Sequence, residues 1–201
     1  MRGCGRLAVA APWWLLAACA GFGPPSSSTA ARLQPMALAA AVPGRFELEL
    51  ASAGLNGTFD AVVAVDADAV RLQVFPDVGG KLVDLRVAGD AITADLGGAA
   101  YRAAPPYDAA EPSLALVLAA IVGELATPVT ASRLRGERRR GDGVEVLLAA
   151  GRGGTPMHAR LDADGRIAVL AWRDLRVPFV LDANGAFVGP GFRGRLVPLP
   201  R

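Results

Sequence analysis

The sequence is poor in the residues that most often carry catalysis or form crosslinks. Its 201 residues include 2 cysteines, 1 histidine, 3 tryptophans and 2 tyrosines. Both cysteines, Cys4 and Cys19, stand near the start of the chain, so no disulfide can form among the residues beyond them. The rest of the chain must therefore rely on buried apolar side chains for stability, and 52% of its residues are hydrophobic.

The scarcity of chemistry-bearing residues argues against an enzyme. The single histidine, His158, has no metal-ligand cluster and no Ser or Cys partner motif beside it. The DADG at 162–165 lacks the carboxylate that a calcium loop carries at its twelfth position, and the GRGG at 151–154 lacks the end of a phosphate loop. We predict no enzymatic activity, no cofactor and no metal, with an envelope hydrolase as the least favoured hypothesis.

Charge is also limited. The chain has 21 Lys and Arg against 19 Asp and Glu, a net charge of +2, which does not indicate nucleic-acid binding. Its densest basic run is RLRGERRR at 133–140. This run predicts a solvated loop or helix end, and contact with anionic lipid headgroups is the functional alternative.

The start of the chain has the pattern of a targeting segment. Two arginines precede an apolar run at 7–16, and small residues then lead to Cys19 in the order Leu-Ala-Ala-Cys. The run has the length of a secretory signal and is too short to span a bilayer, which takes about 20 residues. The motif resembles the bacterial lipobox, in which the signal is removed and the new N-terminal cysteine is acylated. We predict that Cys19 is the lipid attachment site, while a plain secretory signal and a Cys4–Cys19 disulfide remain alternatives.

Composition divides the chain into three parts. Residues 1–18 are the predicted lipoprotein signal peptide, and residues 19–43 are the acylated cysteine followed by a flexible tether rich in Gly, Pro, Ser and Ala. Residues 44–201 form one predicted domain, with a C-terminal extension after about residue 178 that wraps the surface.

Alternation of apolar and polar residues predicts strands. RFELELA at 45–51 places Phe46, Leu48 and Leu50 on one face and charged residues on the other. Similar runs lie at 58–68, 69–75, 82–87, 91–96, 143–151, 157–161 and 167–172. The runs are separated by too few residues for crossover helices, so they predict an antiparallel meander.

One segment breaks this alternation. DAAEPSLALVLAAIVGELATP at 108–128 has a helix start at Glu111 and Pro112, then apolar residues at helical spacing. These apolar residues are Leu114, Leu118, Ile121 and Leu125. The fold prediction is mainly β with an inserted helix (α+β), as a curved antiparallel half-barrel sheet wrapped around an apolar helix.

The order of these features resembles the LolB-like outer-membrane lipoproteins, whose fold is shared with the periplasmic carrier LolA. The resemblance runs from about residue 45 to 177 and follows the lipobox and tether. It is carried by VRLQVFPDVGGKLVDLRVAGDAITADLGGAAYRA, LVLAAIVGELATPVTASRLRG and PMHARLDADGRIAVLAW.

The resemblance implies a half-barrel closed by helices, with an apolar cavity for the acyl chains of lipoproteins. It also implies an exposed apolar residue on a loop between strands that assists transfer to the membrane. By position that residue is Val78, in FPDVGG.

Two functions are compatible with these observations. The first is a lipid-anchored protein that binds acyl chains or lipidated cargo in lipoprotein or lipid trafficking at the outer membrane. The second is an anchored structural or interaction lipoprotein of the same fold with a filled core. In the first case we expect the cavity to be lined by Leu118, Ile121, Val70, Leu72, Leu85 and Val87.

The expected setting is the cell envelope, on the periplasmic side of the outer membrane. The expected partners are membrane lipid through the acyl anchor, and the acyl chains of lipoproteins or a periplasmic carrier. We expect no nucleic acid as a partner, and a monomer.

Overall fold

The computed structural model describes residues 21–52, 54–103, 114–141, 143–152, 156–172 and 178–200. Within these ranges the chain forms one antiparallel sheet of 13 strands. The strands are β1 (Gly44–Ser52), β2 (Asn56–Val65), β3 (Ala69–Phe75), β4 (Val83–Ala88), β5 (Ala91–Leu96), β6 (Ala99–Ala103), β7 (Leu134–Arg140), β8 (Gly143–Leu148), β9 (Met157–Leu161), β10 (Ile167–Trp172), β11 (Phe179–Asp182), β12 (Ala186–Gly189) and β13 (Phe192–Pro198). The described helices are α1 (Ser27–Arg32) and α2 (Leu114–Leu125), with 3-10 turns at Ala37–Ala41 and Ala131–Arg133.

The sheet is curved and unclosed. Its strand order is β6-β5-β4-β3-β2-β1-β13-β12-β11-β10-β9-β8-β7, so two meanders are joined by the pairing of β1 with β13. In that pair Phe46 stands opposite Pro198 and Ser52 opposite Phe192. The edges of the sheet are therefore β6 and β7. The mainly β, antiparallel part of the fold prediction is confirmed.

The alternation seen in the sequence becomes the two faces of the sheet. In β1 the side chains of Phe46, Leu48 and Leu50 are buried, whereas Arg45 and Glu49 are exposed. The predicted turn at Gly89 and Asp90 connects β4 to β5, as expected for a short hairpin. The buried faces of the strands and α2 belong to one hydrophobic core.

Helix α2 is buried along almost its whole length. Residues 115–125 are all buried, and α2 contacts β3, β4 and β5. The sequence prediction of a helix apolar nearly all round is confirmed for 114–125, and Pro128 follows its end. The predicted start at Glu111 and Pro112 lies outside the described residues.

The segment predicted to be a flexible tether differs from that prediction in residues 21–43. Ser26 caps α1 by accepting a hydrogen bond from the Thr29 amide. Phe22, Met36 and Leu38 are buried. The small residues of this segment allow close approach to the sheet, and its few large apolar side chains gain free energy by burial. We call residues 21–36 the N-terminal strap.

Two further predictions are corrected. The basic run 133–140 was expected to be a loop or helix end, but residues 134–140 form strand β7, paired with β8. An edge strand can hold successive arginines because their long side chains reach water from either face.

The tail after residue 178 was expected to wrap the surface, but it forms β11, β12 and β13 within the sheet. Its buried side chains include Phe179, Phe187 and Leu196. The glycines that punctuate the tail lie in turns, where Gly185 and Gly191 adopt positive φ angles of 80°.

Candidate functional site

An apolar cavity of about 620 Å³ opens at one end of the sheet. Consecutive antiparallel strands alternate in direction, so the β1–β2, β3–β4, β5–β6 and β12–β13 turns share this end. The large apolar lining residues are Leu55, Leu82, Val83, Leu96, Leu114 and Phe192. We call this space the mouth cavity.

Local structure brings these side chains together. Val83 stands opposite Leu96 in the β4–β5 pair, and the Gly97 amide donates to the Leu82 carbonyl at 2.9 Å. Leu114 is the first residue of α2 and Phe192 the first of β13. The mouth cavity is therefore formed where the sheet and the start of α2 meet.

The lining of the mouth cavity is half-buried rather than sealed. Leu55, Leu82, Leu96, Leu114 and Phe192 all retain partial exposure to solvent. The one lining hydroxyl is Ser52, whose Oγ donates to the Leu55 carbonyl at 3.2 Å. A ligand here would meet apolar side chains and few polar groups of the chain.

Val78 lies in the β3–β4 loop at this same end. Its side chain is 89% exposed, the largest exposure of any big apolar residue in the described ranges. Asp77, Gly79 and Gly80 around it are also exposed. Val78 therefore lies in an exposed loop between two strands, and its role in transfer stays a prediction.

The six residues predicted to line a cavity occupy the hydrophobic core. They are Val70, Leu72, Leu85, Val87, Leu118 and Ile121, and each is 0% exposed. The structure does bring the strands and α2 together, through contacts of α2 with β3 and β4. None of the six is among the residues that line the mouth cavity. Their role as ligand-binding residues stays a prediction.

Cys19, the predicted lipid attachment site, lies outside the described residues, two positions before Gly21.

A buried ion pair at the end of α2 was not foreseen. Glu124 and Arg133 are joined by two hydrogen bonds, Nη1–Oε1 at 2.9 Å and Nη2–Oε2 at 2.6 Å. Arg133 also donates to the Ala149 carbonyl at 2.9 Å. Burial raises the pKa of the Glu124 carboxyl, and the hydrogen bonds and charge of Arg133 oppose that shift. The feature of the sequence that could have indicated this ion pair is Glu124, a single charged residue inside an otherwise apolar helix.

Glycine is needed where the chain packs against this pair. A Cβ on Gly151 would lie 2.5 Å from Glu124 Oε2 and 2.9 Å from Thr127 Oγ1. Thr127 Oγ1 in turn donates to the Gly123 carbonyl at 2.6 Å and accepts from the Arg152 amide at 3.0 Å. This polar cluster ties the end of α2 to the chain between β8 and β9.

His158 has neighbours that the sequence did not reveal. Its ring lies edge-on to Phe22, with 5.2 Å between centroids, and its Nδ1 is 3.3 Å from Glu145 Oε1. Glu145 also accepts from Arg138 at 2.7 Å. Among the described residues, no three His, Cys, Asp or Glu side chains are placed to hold a metal ion.

The outer face of β3 and β4 carries a separate charged cluster. Asp84 accepts two hydrogen bonds from Arg71, at 2.7 and 2.6 Å, and contacts Lys81. The hydrogen bond from Arg71 and that from Lys81 lower the pKa of Asp84 despite the opposing effect of its burial. Because its charges are matched across neighbouring strands, we assign this cluster to sheet pairing.

No family model matches this chain, and no curated protein matches it. In the part of the chain that the structure describes, no helix is both long enough and apolar enough to cross a membrane.

Proposed function

We propose that this protein is a lipid-anchored envelope lipoprotein that binds acyl chains in the mouth cavity of a half-barrel wrapped around α2. The observation that carries the proposal is an apolar cavity of about 620 Å³ at the same end of the sheet as the exposed Val78. The LolB-like resemblance of the sequence suggests the same activity.

The size and lining of the mouth cavity suit an acyl chain. Its volume falls within the roughly 300–1,000 Å³ typical of small-molecule sites. Half-buried leucines and Phe192 offer apolar surface that a flexible hydrocarbon chain can cover. The hydroxyl of Ser52 is already bonded within the chain, which favours an apolar ligand over one recognised by polar groups.

The projecting Val78 supports a role at a lipid surface. A large apolar side chain exposed to 89% gains nothing in water, but it gains free energy when it enters a membrane or covers a ligand. With Cys19 acylated, the protein would work at the periplasmic face of the outer membrane, as a monomer. Its cargo would be the acyl chains of lipoproteins, received from a periplasmic carrier.

A binding assay with a paired control tests the proposal. A fluorescent fatty acid is titrated into the full chain and into Leu96→Arg, which places a charge at the mouth cavity. The control is Ala91→Arg, which adds the same charge to the exposed face of the same strand. We expect saturable binding by the parent and by the control, and affinity lower by about 10-fold or more in Leu96→Arg.

Absence of saturable binding by the parent chain, or equal loss in both variants, would contradict the proposal. Lipid extraction and mass spectrometry of the purified protein provide a second readout. Acyl lipids should co-purify with the parent in larger amounts than with Leu96→Arg.

One observation favours a second function, an anchored structural or interaction lipoprotein without a ligand. The residues between α2 and the sheet, such as Leu118 and Leu85, are fully buried, as in a filled core. Under this alternative the purified parent carries no lipid and does not bind the fatty acid.

A further inference from the structure

The edge strand β7 concentrates positive charge. Its sequence LRGERRR carries four arginines, and Arg135, Arg139 and Arg140 are exposed. The fourth, Arg138, lies over the ring of Phe22, with its guanidinium carbon 4.4 Å from the ring centroid. We call the three exposed arginines the basic edge.

The described carboxylates of the β7–β8 hairpin, Glu137 and Glu145, already accept hydrogen bonds from other groups. Glu137 Oε2 accepts from the Ser26 amide at 2.9 Å, and Glu145 accepts from Arg138. Arg135 donates to the Ser132 carbonyl at 2.9 Å. Over the described ranges, no ion pair joins any arginine of the basic edge to a carboxylate. Against the effect of burial, the hydrogen bonds from Ser26 and the charge of Arg139 lower the pKa of the Glu137 carboxyl, so the described carboxylates compensate the basic edge only in part. The remaining positive charge can attract an external anion.

The N-terminal strap fixes the start of the domain to this same strand. The Gly23 amide donates to the Glu137 carbonyl at 2.8 Å, and the Glu137 amide donates back to Gly23 at 2.9 Å. Phe22 is 3% exposed between Arg138 and His158. This docking leaves little free chain between β7 and the predicted anchor.

Chain length then sets where a membrane must lie. Cys19 precedes Gly23 by four residues, which span at most about 14 Å when fully extended. An acylated Cys19 would hold the lipid surface within that reach of Gly23, which is hydrogen-bonded to Glu137 at the centre of β7. Because this link is short, the arginines can come within one Debye length of the surface, about 8 Å at physiological salt, where salt does not largely screen their attraction to anionic groups.

We infer that the basic edge is a docking surface for anionic lipid headgroups of the membrane that holds the anchor. Arg135, Arg139 and Arg140 contact the headgroups and set the orientation of the domain on the bilayer. This rests on the membrane anchorage in the proposed function, and it does not depend on acyl-chain binding in the mouth cavity.

Vesicle binding of the unanchored protein tests the docking surface directly. The full chain with Cys19→Ala, which has no thiol at position 19 to acylate, is mixed with phosphatidylcholine vesicles with and without phosphatidylglycerol. The measured quantity is the ratio of affinities for the anionic and neutral vesicles, which cancels the apolar contribution of the start of the chain. Its Arg2 and Arg6 raise the ratio equally in the parent and in every variant, so they cancel when variants are compared. We expect the ratio to exceed unity and to fall as salt is raised.

A charge-matched pair of variants assigns the effect to the strand. The triple variant Arg135→Ala, Arg139→Ala, Arg140→Ala removes the basic edge. The control Arg102→Ala, Arg193→Ala, Arg195→Ala removes three exposed arginines from β6 and β13. Each basic residue near an anionic surface contributes about 5-fold in affinity, so the triple variant should lower the ratio by up to about 100-fold. The control should change it by much less.

Two further arms keep the result interpretable. Replacing the same three arginines by lysine retains the charge and should retain the ratio, and all variants are compared by melting temperature. A ratio of unity for the parent, or equal losses in the basic-edge and control variants, overturns the inference. So does binding of polyglutamate through these arginines without vesicle binding, which would assign the surface to an acidic protein. None of these outcomes depends on fatty-acid binding. Headgroup docking by the basic edge and acyl-chain binding in the mouth cavity can therefore be contradicted independently.

Discussion

At the scale of single residues, the most consequential pair is Glu124 and Arg133. Their side chains are 3% and 10% exposed, and they meet through two hydrogen bonds. Removing two charges from water is costly, and only their mutual contact and the Ala149 carbonyl offset that cost. Such a pair gives its protein little net stability, but the loss of one member is severe because the other remains buried.

This asymmetry gives a prediction for Arg133→Met. The substitution leaves Glu124 buried without its partner, and we expect the free energy of unfolding to fall by roughly 3–5 kcal/mol. The double variant Glu124→Leu with Arg133→Met should lose less, because no charge is then buried. Urea denaturation measures both, with Arg135→Met, an exposed neighbour on β7, as the control.

If Arg133→Met lowers the free energy of unfolding by no more than the Arg135→Met control does, the prediction is contradicted. It is also contradicted if the double variant Glu124→Leu with Arg133→Met loses more free energy of unfolding than Arg133→Met alone.

His158 shows why single residues are hard to interpret from sequence. It looks isolated along the chain, but Phe22 packs against its ring and Glu145 lies 3.3 Å from its Nδ1. Phe22 is far away in sequence, and Glu145 lies on the neighbouring strand β8. Strand pairing and strap docking, which no local pattern encodes, create these contacts.

At the scale of elements, the N-terminal strap is the least expected feature. It forms backbone hydrogen bonds at both of its ends: Gly23 with Glu137 of β7, and Gln34 with Gly165 and Ile167 near β10. A Cβ on Gly136 would lie 2.9 Å from Phe22 Cβ and 3.2 Å from the Gly23 carbonyl. The strap therefore depends on a glycine in β7 for its close approach.

We predict that Phe22→Ala and Gly136→Ala both release the strap. A buried phenylalanine contributes roughly 3–5 kcal/mol when it is truncated in a core. On a peripheral segment this loss should appear as local opening of residues 21–36 rather than as global unfolding. The measurement is the rate of trypsin cleavage after Arg32, which lies in α1 and is exposed.

The matched control is Gly143→Ala, whose added Cβ would meet only the Arg140 carbonyl, at 3.8 Å. We expect faster cleavage at Arg32 in both strap variants and no change in the control. Unchanged cleavage in Phe22→Ala would show that Phe22 does not hold the strap.

At the scale of the whole molecule, the two proposed functions differ in whether the space beside α2 holds a ligand. The mouth cavity lies at the start of α2, beside Leu114, whereas Leu118 one turn later is fully buried. Helix α2 therefore has Leu114 at the mouth cavity and Leu118 in the hydrophobic core.

This contrast predicts opposite effects for two tryptophan substitutions. Leu118→Trp overfills a packed core, so we expect a lower melting temperature, equivalent to about 1–3 kcal/mol or more, with fatty-acid binding retained in the folded protein. Leu114→Trp fills the mouth cavity, so we expect weaker binding with a smaller loss of stability. Thermal melting and fatty-acid titration of both variants provide the comparison.

Loss of binding in Leu118→Trp at an unchanged melting temperature would reverse this assignment. It would place the ligand between α2 and the sheet, where Val70, Leu72, Leu85 and Val87 lie.

Local periodicity determined much of the fold. The alternation in β1 and β3, the hairpin turn at Gly89 and Asp90, and the helix at 114–125 could all be predicted from the sequence. Each depends on residues within a few positions of one another, because side chains alternate along strands and repeat every 3.6 residues along helices. The exposure of Val78 was expected from the resemblance to the LolB-like proteins and not from local periodicity.

Contacts between segments that lie far apart in the sequence were decided only by the tertiary structure. Leu48 faces Leu196 across the β1–β13 pair, which brings the C-terminal tail into the sheet and makes β7 an edge. That arrangement placed the strap on β7, buried Glu124 against Arg133 and put the apolar cavity at the mouth rather than around Leu118. The sequence alone determined which residues must be buried, but the free energy of packing between distant segments selected their partners and the space left between them.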